Sequence, residues 1–238
     1  MPAEPVPREA PLPTVRDGVF FTLPEALPRG RHNLTREQVT DAQRERLLAA
    51  VTELLAGRGY AGFGVGDVAG RAGVSLGTFY ACFGGKDACI FAGYDRFIEV
   101  LLRNVAAVDL PNEDRAALTD ALVGAYLETL GQDLVVARAY QVEIDALGAP
   151  ARARRREALT LFATSVRDLG RRPLADGRTP PDLPWTAYIG AVYAARQLAA
   201  DALDTTAEPD FNALRAELAS WMSDLFRLPG PPGAGRTR

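Results

Sequence analysis

The stretch that decides the fold is residues 64–86, which read GVGDVAGRAGVSLGTFYACFGGK. Apolar residues from Val68 to Ala72 recur at helical spacing in its first part. Gly73 suits the left-handed conformation that ends a helix and turns the chain. Ser75 is a natural N-cap for a second helix, because its oxygen accepts a backbone N–H one turn ahead. Helix, glycine-containing turn and helix predict a helix-turn-helix, whose second helix enters the DNA major groove.

The same stretch resembles the DNA-binding domain of the TetR family of bacterial transcriptional regulators. The resemblance lies in the pattern RAGVSxGTFYxxFxxK from Arg71 to Lys86, and it covers about residues 36–90. It implies an all-α, dimeric protein, usually a repressor that a small molecule releases from its operator. The competing interpretation is a protein with the same fold that binds operators weakly and acts through a ligand or a protein partner.

Apolar residues at helical spacing continue after the helix-turn-helix, and they predict an all-α protein. A capping box, Thr35 with Gln38, starts the first helix. The expected divisions are a flexible Pro-rich arm, a three-helix helix-turn-helix domain, a helical effector-binding and dimerisation domain, and a disordered tail. Their bounds are 1–33, 34–85, 86–228 and 229–238. The expected helices of the second domain are 86–108, 113–130, 134–147, 152–169, 185–203 and 211–228.

The N-terminal arm combines seven prolines with little apolar periodicity, which is typical of an extended, flexible segment. Phe20, Phe21 and Leu23 interrupt it, and we expect them to dock on the body. The basic residues 29–32 precede the first helix. Such an arm either reaches into a minor groove or is a solvated linker.

Composition excludes several classes of protein. The chain is 47% apolar and 24% charged, with a net charge of −3, so a DNA-binding surface has to be local. Cys82 and Cys89 are the only cysteines. We expect them to fill the core, with a redox switch as the alternative, and we expect no metal and no cofactor. Without a signal peptide or an apolar run of membrane-spanning length, the sequence predicts a cytoplasmic protein that does not cross a membrane.

Two stretches partly match enzyme motifs, but neither has the neighbouring structure or residues that the motif requires. Residues 73–77 match G-x-S-x-G, but a helix precedes them and the single histidine, His32, lies upstream. The glycines of residues 62–70 lack the dinucleotide-loop spacing. The prediction is therefore that the protein is not an enzyme. The remote alternative is a helical-bundle enzyme using Glu128 and Glu143.

The family resemblance also places the DNA contacts. It makes Ser75, Thr78 and Tyr80 candidate phosphate contacts, together with Lys86 at the start of the next helix. Leu76 and Gly77 take base-facing positions, where Leu76 could touch a thymine methyl group. We expect the operator to be a palindromic double-stranded DNA site.

Effector and dimer residues follow from the same resemblance. The family's pocket lies in helices corresponding to residues 95–200, and the expected effector is a small, largely apolar molecule. The polar-tipped candidates for binding it are Tyr126, Arg138, Tyr140, Glu143, Tyr188 and Tyr193. For each tyrosine the alternative is a core or interface ring. The homodimer interface is expected on the last two helices, at Ala191, Ala195, Leu214, Leu218, Trp221 and Leu225, with a monomer core as the alternative.

Overall fold

The computed structural model describes residues 11–24, 35–108, 115–172 and 183–227. Within these ranges the regular structure is helical, and one isolated β-bridge joins Asp17 and Phe21. The nine α-helices of the described residues confirm the all-α prediction. They are α1 (Arg36–Arg58), α2 (Val65–Ala72), α3 (Leu76–Cys82), α4 (Lys86–Ala106), α5 (Arg115–Gln132), α6 (Leu134–Gln141), α7 (Ala149–Gly170), α8 (Trp185–Thr205) and α9 (Phe211–Arg227).

The first helix, α1, begins and ends as its sequence predicts. Thr35 accepts the Gln38 N–H, and the Gln38 side chain accepts the Thr35 N–H in return, at 3.1 and 2.9 Å. Gly59 ends the helix at φ 66°, where its N–H donates to Leu55. A short 3-10 turn, Tyr60–Gly62, then leads to α2.

The turn between α2 and α3 requires glycine. Gly73 takes the left-handed conformation, with φ 64°. A Cβ at this position would lie 2.7 Å from the Arg46 guanidinium, so the turn is also tightly packed. The N-terminus of α2 has no side-chain cap at Gly64, but the Asp67 carboxylate accepts the Gly64 N–H at 2.8 Å. That bond replaces part of the missing cap.

Helix α4 runs from the helix-turn-helix into the second group of helices, α5 to α9. Helix α9 packs along α5, where Arg215 lies across Gly124. The Arg215 guanidinium donates to both oxygens of Asp120, at 3.0 and 2.8 Å, and to Glu128 at 2.6 Å. This bidentate pair fixes the register of the two helices.

Two boundaries differ from those predicted. The expected helix 134–147 ends at Gln141 and continues as a 3-10 turn, Glu143–Leu147. Helix α7 begins at Ala149, before Pro150, rather than at Arg152. Proline is tolerated in the first turn of a helix because that turn does not use its N–H, so Pro150 does not act as the expected stop.

The N-terminal segment 11–24 packs on the body, which corrects the prediction of a flexible arm for this stretch. Phe20 and Phe21 are buried, as expected, and Leu23 is half-buried. The backbone N–H of Val15 donates to Glu53 in α1 at 3.0 Å. The predicted basic stretch 29–32 and the tail 229–238 lie outside the described residues.

Cys89 is a core residue, as predicted. It is fully buried, and burial raises the pKa of its thiol to about 12, which makes it a poor nucleophile. Cys82 is only half-buried. No helix among the described residues is long and apolar enough to span a bilayer. The described residues also contain no cluster of histidine, cysteine and carboxylate side chains placed to hold a metal ion.

Candidate DNA-binding and effector sites

Helix α3 has one buried face and one exposed face. Phe79 is fully buried, and its ring packs against Phe83 with centroids 6.1 Å apart. Beside it on the same helix Leu76 and Tyr80 are 52% and 59% exposed, which is high for large apolar side chains. Ser75 caps the helix, with its Oγ accepting the Thr78 N–H at 3.0 Å. Of the predicted DNA contacts on this helix and its cap, Ser75, Leu76, Gly77 and Tyr80 are exposed, whereas Thr78 is half-buried.

Lys86 forms hydrogen bonds within the protein that its position in the sequence did not indicate. Its Nζ donates to the carbonyls of Tyr60 and Phe63, at 2.8 and 3.0 Å. It also lies 4.0 Å from the centroid of the Tyr60 ring. Two of its three N–H groups thus hold the turn between α1 and α2, and one is left for a phosphate.

A cavity lies in the second group of helices, between α4, α5, α6, α7, α8 and α9. The space between its side chains is about 840 Å³, including the part open to solvent. Most of its wall is apolar, as small-molecule sites commonly are. Its central apolar lining comprises Phe97, Leu101, Leu122, Leu159, Phe162 and Phe226.

Three of the six candidate effector residues lie at this cavity or beside it. Tyr126 and Tyr140 are in its wall, and the Tyr140 ring lies 5.5 Å from that of Phe97. Tyr188 borders a smaller adjoining pocket and stacks on Phe226 at 5.7 Å. Burial raises the pKa of the Tyr126 and Tyr140 phenols, so both hydroxyls are neutral donors.

The other three candidates lie outside the walls of these two pockets, so the geometry does not bring them together with the first three. Arg138 donates to the carbonyls at the C-terminal end of α8, including Thr206 at 2.7 Å. Glu143 lies beside Gly59, at the junction with the DNA-binding domain, and burial raises the pKa of its carboxyl. Tyr193 is 41% exposed and outside the cavity wall. Residue type alone had selected them, without information on which face each helix buries.

Sequence reasoning missed the charged part of the wall, which Arg155 and Arg196 supply. Arg196 is buried, and it donates to the Gln141 carbonyl and, at 3.4 Å, to Asp145. Arg155 pairs with the same carboxylate. A signal was present in the sequence, because Arg196 is the single charged residue in the stretch 185–200. A lone charge in an apolar helix points to an internal partner.

The predicted dimer residues divide by burial. Leu218 and Ala191 are buried within the single chain and offer little area to a second one, whereas Ala195 is half-buried at the cavity wall. Leu214 and Leu225 are half-buried against the core. Trp221 is 38% exposed and stays a candidate.

Comparison with known proteins agrees with this architecture. The sequence profile described as "Bacterial regulatory proteins, tetR family" matches residues 47–92, which span the end of α1 to the start of α4. The HTH-type transcriptional regulator EthR of Mycobacterium tuberculosis H37Rv is 29% identical over 174 residues. That match covers 70% of this chain and 66% of EthR, so the chain spans slightly under two thirds of this relative.

Solved structures share the fold. The regulator FadR from Bacillus subtilis, solved in complex with stearoyl-CoA, superposes with a TM-score of 0.61 at 18% identity, over 75% of this chain and 96% of FadR. A TetR-family protein from Streptomyces coelicolor A3 superposes with a TM-score of 0.57 at 24% identity, over 75% of this chain and 96% of the other. The helix-turn-helix geometry and these similarities lead to one conclusion: residues 47–92 form a domain of the kind described for bacterial regulatory proteins of the tetR family, and the rest of the described chain shares the fold of solved regulators.

Proposed function

We propose that the protein is a sequence-specific DNA-binding transcriptional regulator, a repressor that leaves its operator when a small molecule fills the cavity. The observation that carries this proposal is the two-faced helix α3. Its Phe79 side anchors it in the domain, while Leu76 and Tyr80 stand exposed without a protein partner to explain their apolar surface.

The proposed DNA contacts follow from the positions on that surface. Leu76 and Gly77 face the base edges, where Leu76 suits a thymine methyl group. The hydroxyls of Ser75, Thr78 and Tyr80 and the third N–H of Lys86 supply contacts to phosphate oxygens. These contacts would fix the orientation of α3 in the major groove.

The proposed assembly is a homodimer formed through α8 and α9. Tyr193, Leu198 and Trp221 on these helices are 41%, 43% and 38% exposed, and they supply apolar area for a symmetric interface. Two copies of α3 would then bind a near-palindrome with half-sites about one helical turn apart, or a multiple of it.

Catalysis is not part of the proposal. The two carboxylates considered for an enzyme have different surroundings. Glu128 forms an ion pair with the Arg215 guanidinium at 2.6 Å, and Glu143 lies beside Gly59 at the end of α1. The relatives found are transcriptional regulators.

One observation favours the weaker-binding alternative. The basic side chains around α3 are largely used inside the protein: Arg44 donates to the Cys82 carbonyl at 3.2 Å, Arg71 pairs with Glu53 at 2.6 Å, and Lys86 holds two carbonyls. Few charges then remain to neutralise phosphates, so non-specific DNA affinity should be low.

A mobility-shift and footprinting experiment with the promoter beside the protein's own gene tests the proposal. A symmetric footprint that the Tyr80→Ala variant weakens supports it. The matched control is Leu161→Ala, because Leu161 on α7 is 55% exposed and belongs neither to α3 nor to the proposed interface. Absence of any shift at low salt, with the protein folded, overturns it in favour of the alternative.

A further inference from the structure

The cavity has a polar end, and four helices contribute to it in a consistent way. On α4 and α7 the first residue that lines the cavity, in chain order, is polar: Tyr94 on α4 and Arg155 on α7. The lining residues after it are apolar. Along α8 the polar lining residue comes last, at Arg196, and along α5 Tyr126 comes last, although the lining of α5 also begins with a polar residue, Thr119. Because Arg155 and Arg196 both contact Asp145, these helix ends meet. The polar end consists of Tyr94, Tyr126, Gln141, Arg155 and Arg196.

The charge of this end is positive. Arg155 and Arg196 carry two positive charges, and Asp145, which pairs with both, carries one negative charge. The next acidic group near Tyr94 is Asp95, which is already paired with Arg154 at 2.6 Å. One positive charge is therefore left uncompensated beside an apolar cavity, where the low dielectric strengthens its attraction for an anion.

Tyr126 supplies a second, independent observation. Its hydroxyl is buried in the cavity wall, where the Gln141 side chain is a polar neighbour, but the two do not form a hydrogen bond of normal geometry. Burial raises the pKa of this phenol, so it stays protonated and is a donor. A buried donor without an acceptor is costly, and a ligand oxygen placed here would remove that cost.

We infer that the cavity binds an amphipathic monocarboxylic acid, with its carboxylate at the polar end and its apolar body along α7. This inference rests on the proposed function, since it names the ligand class of the same cavity. A guanidinium fork matches a carboxylate in geometry and charge, and the Tyr126 hydroxyl donates to the same group. It replaces the sequence-based expectation of a ligand that is merely apolar.

The shape of the cavity suits an elongated body. From Arg155 to Val166 the lining of α7 runs about 16 Å along the helix axis. The smaller pocket at Tyr188 adjoins its far end, since both share Val166 and Phe226. An alkyl chain or a chain of rings extending from the polar end would fill this length.

Calorimetric titration of the full-length protein tests the carboxylate. The probes are decanoic acid, 1-decanol and decylamine, which share one alkyl chain and differ in the head group. Decanoic acid should bind tighter than both by a factor on the order of ten to a hundred, the range for hydrogen bonds to charged groups. Equal affinity for the acid and the alcohol overturns the inference. Tighter binding of decanoyl-CoA than of the acid also overturns it, because the thioester has no free carboxylate.

Two variants assign the effect to the polar end. Arg155→Met removes one charge at nearly constant length and should reduce the preference for the acid over the alcohol by about tenfold. Its control is Arg154→Met on the same helix, since Arg154 pairs with Asp95 and lies over Phe91 outside the cavity wall. Tyr126→Phe should weaken the acid several-fold without lowering the melting temperature. An unchanged preference in both Arg155→Met and Tyr126→Phe refutes the assignment.

The titration contains no DNA, so its failure differs from failure of the proposed function. Operator binding without any preference for the acid would remove the carboxylate inference and keep the regulator. Preference for the acid without operator binding would keep the carboxylate inference and remove the proposed regulator.

Discussion

The hydroxyl of Tyr140 lies 2.7 Å from the Thr52 hydroxyl. Tyr140 is in the wall of the cavity, and Thr52 is a buried residue of α1 in the DNA-binding domain. Thr52 Oγ1 also approaches the Leu48 carbonyl at 2.7 Å, so Thr52 donates there and accepts from Tyr140. One hydrogen bond thus connects the ring in the cavity wall with α1. Since a ligand shifts an equilibrium only by binding two states differently, this contact is a physical route for such a difference.

The first prediction concerns this bond. Tyr140→Phe keeps the ring in the cavity wall but removes the link to Thr52. We expect ligand affinity to change by less than about threefold, whereas the ligand-induced loss of operator affinity should shrink by about tenfold, the value of one buried hydrogen bond. Calorimetry and mobility shifts on the same preparation measure both. Thr160→Ala, which removes an exposed hydroxyl that donates to the Arg156 carbonyl within α7, is the control. An unchanged response to ligand in Tyr140→Phe contradicts the route.

The second prediction concerns Gly93 in α4, which the Tyr140 hydroxyl approaches closely. A Cβ added at Gly93 in α4 would lie 1.9 Å from the Tyr140 hydroxyl oxygen. Gly93→Ala should therefore push Tyr140 off Thr52 and destabilise the fold by about 1–3 kcal/mol, as overpacking does. Gly190→Ala in α8 is the control, because nothing lies within 4 Å of its Cβ position, and it should stabilise by up to about 1 kcal/mol. Urea unfolding distinguishes the two, and equal stability of both variants would refute the argument.

The third prediction concerns the N-terminal segment, which touches both parts of the chain. Its Phe20 ring lies 5.5 Å from Phe97 in the cavity wall. Its Arg16 N–H donates to Asp133, the N-cap of α6, at 2.6 Å. Phe20→Ala should cost about 3–5 kcal/mol of unfolding free energy, as expected for a buried ring. Thr22→Ala is the control, because the contact of Thr22 with Glu45 uses its backbone N–H, at 3.2 Å. Identical urea midpoints for the two variants would show that the segment is not part of the core.

The sequence predicted local features such as helix caps and turns well, but it predicted poorly which side of each helix is buried. The Thr35 cap and the Gly73 turn depend on residues within one or two turns, so they were visible in the sequence. Leu218 shows the limit: its helix has apolar residues on more than one side, and the contact with α5 decides which side is buried. Arg196 shows the same limit for the site, since its partners Gln141 and Asp145 lie more than 50 residues away in sequence.

The fourth prediction separates base contacts from phosphate contacts on α3. Leu76→Ala should change which operator sequences are preferred, because an apolar contact with the thymine methyl group distinguishes thymine from the other bases. Tyr80→Phe should weaken binding to all sequences alike by about ten- to a hundredfold, the range for one hydrogen bond to a charged group. Both side chains are exposed, so neither change should lower the melting temperature. Selection from a randomised operator library measures both effects, and an unchanged preference in Leu76→Ala contradicts a base-facing role.

The fifth prediction compares two residues one turn apart on α9. Trp221 is 38% exposed, and Leu218 is fully buried. Trp221→Arg should give a folded monomer, because the new charge faces solvent in the single chain and opposes only the symmetric interface. Leu218→Arg should unfold the chain itself, because an unpaired buried charge costs several kcal/mol. Sedimentation gives the oligomeric state and circular dichroism the helix content. A dimeric, fully helical Trp221→Arg protein would place the interface elsewhere, and a folded Leu218→Arg monomer would restore Leu218 as an interface residue.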